Sequence, residues 1–293
     1  MNDLASALRL HIVAIAVCAT VTFGYLFMGA YPVGLALICG LDWCLVNLLN
    51  RATDVDEDRL NGIAATEFVA RHARALVAGC LVTLVASLAW GFMALPASLA
   101  AVRVLFHALG LGYSFRIVPT PRGLRRFKDL YVFKNSMSAV MFILSVGLYP
   151  LLGVHHARVM ALPGVAAVLV FFFLFEHTYE VLYDLRDLEG DRAVGVPTYP
   201  VVHGARTSAR LIYVLCAASV VVLVGARAAH GVTTRELLMA AAPIAQAAFL
   251  WRRGPGGVSR ADCIGLTYAG AALLLFFLAG TSLWQRAGLP MDL

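Results

Sequence analysis

The stretch Asn50-Arg-Ala-Thr-Asp54-Val-Asp-Glu-Asp58 places an amide and two carboxylates at four-residue steps. On a helix these three side chains share one face. A second acidic group, Asp184, Asp187 and Asp191 in Asp-Leu-Arg-Asp-Leu-Glu-Gly-Asp, again follows helical spacing. Each group begins where a long apolar run ends, Val33 to Leu49 for the first and the run closing near Tyr183 for the second. Like charges so close repel one another. Mg²⁺ takes oxygen ligands and uses one or two carboxylates together with water and substrate phosphates. Two facing acidic helix ends could hold such ions with a diphosphate between them, while Arg and Lys neutralise its outer oxygens. Metal and cations together ease the departure of diphosphate as a leaving group. An isoprenoid tail would need an apolar groove, and the allylic cation left behind would need a water-poor cavity in which an electron-rich acceptor could capture it.

The elements that must position these groups are membrane helices. Of 293 residues, 61% are hydrophobic and 14% charged, where a soluble domain carries about a quarter charged. With about 20 apolar residues per span, nine helices are expected in a single all-α polytopic membrane domain over 1–293: 10–29, 33–50, 73–95, 97–115, 132–153, 159–183, 208–228, 235–251 and 261–284, bundled around a central cavity. Neither acidic helix is interrupted by proline, Pro163 standing near the start of 159–183. No cleavable secretory signal is evident, so 10–29 reads as the first span. The six cysteines contain no CxxC pair and read as buried apolar residues.

Four longer polar loops join helices 2–3, 4–5, 6–7 and 8–9, and 17 of the 23 Lys and Arg residues lie in or beside them. Excess positive charge marks the cytoplasmic side. The expectation is a multi-pass plasma- or inner-membrane protein with its acidic groups facing the cytosol, its N-terminus inside and its C-terminus outside. Helices 2 and 6 each end in an acidic face and a polar loop, an internal echo four helices apart.

Deeper in the membrane, Asp42 lies eight residues before Asn50, about 12 Å further in at 1.5 Å per residue. Glu180 and Glu176 continue the Asp184 face inward, with His177 beside Glu176. Intramembrane ionisable groups are functional candidates. One of Asp42, Glu176 and Glu180 is expected to orient the acceptor or take its proton, the alternative being a buried network that ties helices 2 and 6 together. Arg103 is expected to snorkel to the outer surface, and His107 to be a packed polar residue. Of Phe171, Phe172, Phe173 and Phe175, one or two could line the prenyl groove. A transporter would place its carboxylates near the bilayer midplane at broken helices, which the positions of these groups disfavour. The Asp-Gly-x₂-Ala-Arg start of CDP-alcohol phosphotransferases is absent.

Asn50-x₃-Asp54-x₃-Asp58 resembles the first Asp-rich motif of the UbiA superfamily of intramembrane prenyltransferases. Asp187-x₃-Asp191, extended in Asp184-Leu-Arg-Asp-Leu-Glu-Gly-Asp, resembles the second, and Gly112-Tyr-Ser to Lys134-Asn135 resembles the loop between helices 4 and 5. The resemblance implies Mg²⁺-dependent transfer from a prenyl diphosphate donor to a lipophilic acceptor, usually aromatic and often a quinone precursor, with membrane lipid around it and no nucleic-acid partner. It implies that Asn50, Asp54, Asp58, Asp187 and Asp191 hold the metal–diphosphate, and that Tyr113, Arg126, Lys128 and Lys134 contact the diphosphate or help it leave. Either lysine could match the family position. Asp184 and Asp42 are candidates for the same ligand, and Asp54, Asp191 and Glu180 for the chemistry. Asn50 is followed by Arg51 where many relatives have Asn-Asp, and the Arg-Pro pair common after the first motif is absent. An intramembrane terpene cyclase of the same superfamily is the alternative.

Overall fold

The computed structural model describes residues 6–287. Seven helices are long and apolar enough to cross a membrane: α1 (Leu10–Met28), α2 (Val33–Thr53), α4 (Thr66–Ala94), α5 (Ala97–Ser114), α8 (Leu162–Arg186), α11 (Ala205–Ala228) and α13 (Arg260–Arg286). The chain is therefore a multi-pass membrane protein, with seven spans meeting that length where nine are expected. The two other rods are shorter. α7 (Met137–Gly153) contains a π-helical turn at Ile143–Gly147, and the stretch expected at 235–251 is a 3₁₀ turn, Glu236–Ala240, leading into α12 (Ala241–Arg253).

Proline and glycine set the joints. Pro32 and Pro96 stand immediately before α2 and α5, where a missing N–H costs nothing. Gly29 ends α1 at φ +66°, a conformation that favours glycine. Within the bundle, α1 packs on α2, α13 and the C-terminal half of α7, while α8 packs on α11 and on the N-terminal half of α7. The main core gathers Phe23, Phe27, Phe106, Tyr149 and Phe171 from four of these helices.

The two acidic stretches do not continue as single helices. α2 stops at Thr53, Asp54 is the joint at φ −111° and ψ 25°, and α3 (Val55–Leu60) sets off in a new direction. α8 stops at Arg186, Asp187 is the joint at φ −93° and ψ 7°, and α9 (Leu188–Val194) follows, with the short α10 (Tyr199–His203) after it. The shared helical face expected of each motif is thus corrected: a break falls inside both, at an Asp each time. The echo between helices 2 and 6 takes this local form, a long helix, an Asp joint and one short helix. α3 and α9 pack against each other. A Cβ on Gly190 would stand 1.8 Å from Asn61 Oδ1, so a side chain there would displace the Asn61 amide that packs on α9.

A two-stranded hairpin, β1 (Val118–Thr120) with β2 (Gly123–Arg125), follows α5. A 3₁₀ turn, Phe127–Asp129, and the short α6 (Tyr131–Lys134) carry the chain back to α7. Phe127 seats against Gly112, where a Cβ would meet its ring at 2.5 Å. This contact fixes the loop that carries the chain's two lysines, Lys128 and Lys134.

Candidate active site

The Asp joints bring both acidic groups to one cavity. Asn50, Asp54 and Asp58 line it from one side, and Asp184, Asp187 and Asp191 from the other. Tyr113, Lys128, Lys134 and Glu180 face it as well. It also takes side chains that the spacing argument had not singled out, among them Glu57, Asn47, Asn61, Ser138 and Arg186. Glu57 sat in plain view within the acidic run. The others carry no sequence signal of their own.

Each lysine serves one acidic group. Lys128 Nζ lies 2.8 Å from Asp54 Oδ1 and 2.5 Å from Glu57 Oε2. Lys134 Nζ lies 2.6 Å from Asp184 Oδ1. The alternative between them is therefore no alternative in space, since both ammonium groups enter the cavity. Burial opposes the charge on Lys134, yet Asp184 and Asp191 outweigh it and hold its pKa well above the ordinary lysine value. Arg126 is placed differently from the expectation. It is not among the residues facing the cavity. Its guanidinium pairs with Asp54 at 3.0 Å and with Asp129 at 3.0 Å, and so holds Asp54 in place.

Arg51, the departure from the usual motif, has no exposed surface. It bonds Asp58 at 3.1 Å and the carbonyls of Ser6 and Ala64 at 2.9 and 2.8 Å. Arg9 stands 3.6 Å from the other oxygen of Asp58. Asp58 is thus clamped by two arginines while it faces the cavity. Asp187 pairs with its neighbour Arg186.

The lining holds eight Asp and Glu side chains against four Lys and Arg among the described residues. The imbalance is felt at Asp191, which is 3% exposed. Burial pushes its carboxyl up to about 7, with Asp184, Asp187 and Glu57 adding to the rise against Lys134. Burial also raises Asp54, helped by Glu57 and opposed by Lys128 and Arg126.

Four buried oxygens of this cavity have no hydrogen-bond partner: Asn50 Oδ1, Asp184 Oδ2, Asp191 Oδ2 and Glu180 Oε2. Buried polar atoms are rarely left so. The first three come from both acidic groups and are hard oxygen donors suited to Mg²⁺. Among the described residues no three His, Cys, Asp or Glu side chains form a ready-made metal cage. An ion bound here needs ligands from something else, as Mg²⁺ does when it shares a phosphate.

Asp42 is corrected. It does not line the cavity. Arg103 grips it with two bonds of 2.9 and 2.7 Å, Tyr149 donates to it at 2.8 Å, and His107 Nε2 lies 2.9 Å away. Both carboxylate oxygens are taken. Arg103, expected to snorkel, is fully buried for the same reason: Asp42 and Ser87 satisfy it inside the bundle. The network joins α2, α5 and α7, with α4 through Ser87, and α8 takes no part in it.

A profile of the UbiA prenyltransferase family matches residues 11–262. No curated protein matches the chain. Among solved structures, a UbiA homolog from Archaeoglobus fulgidus bound to DMAPP and Mg²⁺ is 18% identical, with a TM-score of 0.72 over 94% of this chain and 97% of that one. An apo UbiA homolog from Aeropyrum pernix K1 is 16% identical, with a TM-score of 0.63 over 94% of this chain and 98% of that one. A digeranylgeranylglyceryl phosphate synthase is 16% identical, with a TM-score of 0.57 over 96% of this chain and 99% of that one. At these identities the likeness is one of fold. With the profile spanning most of the sequence, the chain belongs to the UbiA prenyltransferase family and is a transferase of prenyl groups.

Proposed function

We propose that the protein transfers a prenyl group from a prenyl diphosphate to a lipophilic acceptor within the membrane, with Mg²⁺ bound between the two Asp joints. The observation that carries this reading is the surplus of carboxylates in one buried cavity, with unpartnered oxygens from both acidic groups. Mg²⁺ would offset that surplus of negative charge, and the same ions would let a diphosphate, itself an anion, settle among the carboxylates. The Archaeoglobus homolog of the same fold, solved with DMAPP and Mg²⁺, supports the choice of ligands.

Asn50, Asp54, Asp58, Asp187 and Asp191 hold the metal, which when bound polarises the diphosphate oxygens. Asp184 keeps Lys134 in place. Lys128 and Lys134 each release part of their charge from a carboxylate to the diphosphate and stabilise it as it departs. Tyr113 closes the side of the cavity next to them. Glu180, one helical turn deeper than Asp184, takes part at the acceptor end. With the two shorter rods completing nine crossings, the acidic ends face the cytoplasm, the N-terminus lies inside and the C-terminus outside, and 1–293 form one domain.

The test is an incubation of purified protein with geranyl diphosphate, with and without Mg²⁺ and phenolic acceptors. Diphosphate release that needs both Mg²⁺ and an acceptor is the expected result. A cyclic hydrocarbon formed without acceptor would assign an intramembrane cyclase instead. Absence of diphosphate release under every condition rejects the reading.

A further inference from the structure

A second cavity lies beside the first and is mostly apolar. Phe171, Phe172 and Phe175 of α8 face it, together with Phe277 of α13 and Leu238 of the 3₁₀ turn. Phe173, on the opposite side of α8, packs on His177 instead. The two cavities meet at Ile15, Phe142, Glu176 and Tyr179, which line both. Glu176 is the only charged side chain among these four. It makes no hydrogen bond or ion pair among the described residues. Tyr179 gives its hydroxyl to the carbonyl of Leu266 at 3.2 Å and so offers Glu176 nothing.

One turn nearer the diphosphate, Glu180 accepts the backbone N–H of Ser138 at 2.8 Å through one oxygen and leaves the other bare. Glu176, Glu180 and Asp184 thus form a row along one face of α8, about 6 Å per step. The row leads from the apolar cavity to the acidic one. A carboxyl set in an apolar cavity wall without a partner is costly, and a ligand that donates a hydrogen bond removes that cost.

The cations are elsewhere. Lys128, Lys134, Arg9 and Arg186 all pair with carboxylates of the acidic groups. The one cation lining the apolar cavity among the described residues is Arg235, which pairs with the buried Glu236 and lies over the rings of Tyr25 and Phe277. An acceptor carrying a carboxylate would set its charge beside Glu176 in a low-dielectric wall with nothing to neutralise it. A protonated amine would have to shed its hydration and would arrive with its nucleophilic pair already occupied. An uncharged phenol meets neither objection.

We infer that the acceptor of this enzyme is an uncharged, lipophilic phenol that lies in the apolar cavity and donates its hydroxyl to Glu176. This rests on the prenyl transfer proposed above. In the reaction the phenolic proton passes to Glu176. The electron pair so released forms the bond from the ring to the first prenyl carbon, whose bond to oxygen breaks with its pair leaving on the diphosphate. The proton on the attacked ring carbon then restores the hydroxyl. One phenol and one prenyl diphosphate give one prenylated phenol, one diphosphate and one proton.

A matched pair of probes tests this: methyl 4-hydroxybenzoate, which is neutral, and 4-hydroxybenzoate, which is not. The protein is held in lipid nanodiscs with Mg²⁺ and geranyl diphosphate, and both binding and turnover of each probe are read. The ester should bind and react about a hundredfold or more better than the acid, the loss expected of an unpaired buried charge. Glu176→Gln should weaken ester binding and raise its KM about tenfold, the loss of one bond to a charged group, and should also lower kcat with the ester, since an amide takes no proton, with the KM for geranyl diphosphate unchanged. Glu176→Asp should recover part of the loss. Preference for the acid overturns the inference. So does an ester KM and affinity unmoved by Glu176→Gln, or an ester that neither binds nor reacts. Binding of geranyl thiolodiphosphate with Mg²⁺ is measured alongside. If that fails in the unaltered protein, the prenyl-transfer reading itself falls, and the inference with it.

Discussion

The ammonium of Lys134 lies 2.6 Å from Oδ1 of Asp184, and the other oxygen of that carboxylate has no partner. In the proposed reaction the lysine meets the diphosphate, and the open oxygen is free for a donor. Lys134→Met should lower the rate of diphosphate release about a hundredfold, the scale for removing one preorganised charge from a developing anion. Lys128→Met should do likewise from the other side of the cavity. Single-turnover release of diphosphate from a saturated complex measures both. A fall in donor affinity with an unchanged rate constant would show that the lysines bind without aiding departure.

Gly190 is expected to tolerate a side chain poorly. Gly190→Val drives its Cβ into Asn61, displaces that amide and loosens α9 against α3, and with them the two acidic groups. Helix content by circular dichroism should be retained, since the long helices do not depend on this contact. Binding of Mg²⁺ with geranyl thiolodiphosphate should weaken. Gly112→Val, which pushes on Phe127, should displace the lysine loop and give a milder form of the same defect.

The raised carboxyl of Asp191 gives the protein a pH signature. Its value in the fold, about 7, stands above the ordinary aspartate value near 3.9. The folded state therefore holds its proton more tightly than the unfolded state does. This contribution to stability is complete below about pH 4 and is lost as pH rises to about 7. Without metal, the melting temperature should fall across that window. Mg²⁺ with a diphosphate needs the deprotonated carboxylate and should restore more stability at pH 8 than at pH 6. Differential scanning fluorimetry in detergent with and without the ligands checks both statements. Asp191→Asn should flatten the first trend and abolish the second.

Asp42 and Arg103 should behave as a structural pair. Asp42→Asn or Arg103→Met leaves one buried charge without its partner and should cost about 3–5 kcal/mol. The double substitution should cost less than the sum of the singles, because no lone charge remains. Thermal unfolding of the four proteins in detergent decides the matter. Once the weakened fold is allowed for, turnover per folded molecule should stay close to the original, since the pair does not face the cavity.

Much of this protein could be read from its residues. Long apolar blocks oblige the chain to form membrane helices, because lipid leaves the backbone no other partner. Carboxylates at helical spacing beyond the ends of two such blocks identify the cavity's acidic lining, since repulsion between them needs an outside remedy. The basic loop that answers them was legible in the same way. These signals are local, set by spacing along the sequence and by the length of a run.

What needed the fold was pairing between distant residues. The spacing implied one helical face for each acidic group, but packing of α3 on α9 bends each chain at an Asp, which is how six side chains come to share one cavity. Asp42 had the same intramembrane setting as Glu176, and nothing in the sequence said that Arg103, 61 residues away, would satisfy one and leave the other bare. That Arg126 pairs with Asp54 and Asp129 was equally out of sight. Spacing fixes which charges a helix carries. Only the packing of helix on helix determines which of them are neutralised, and the ones left over form the site.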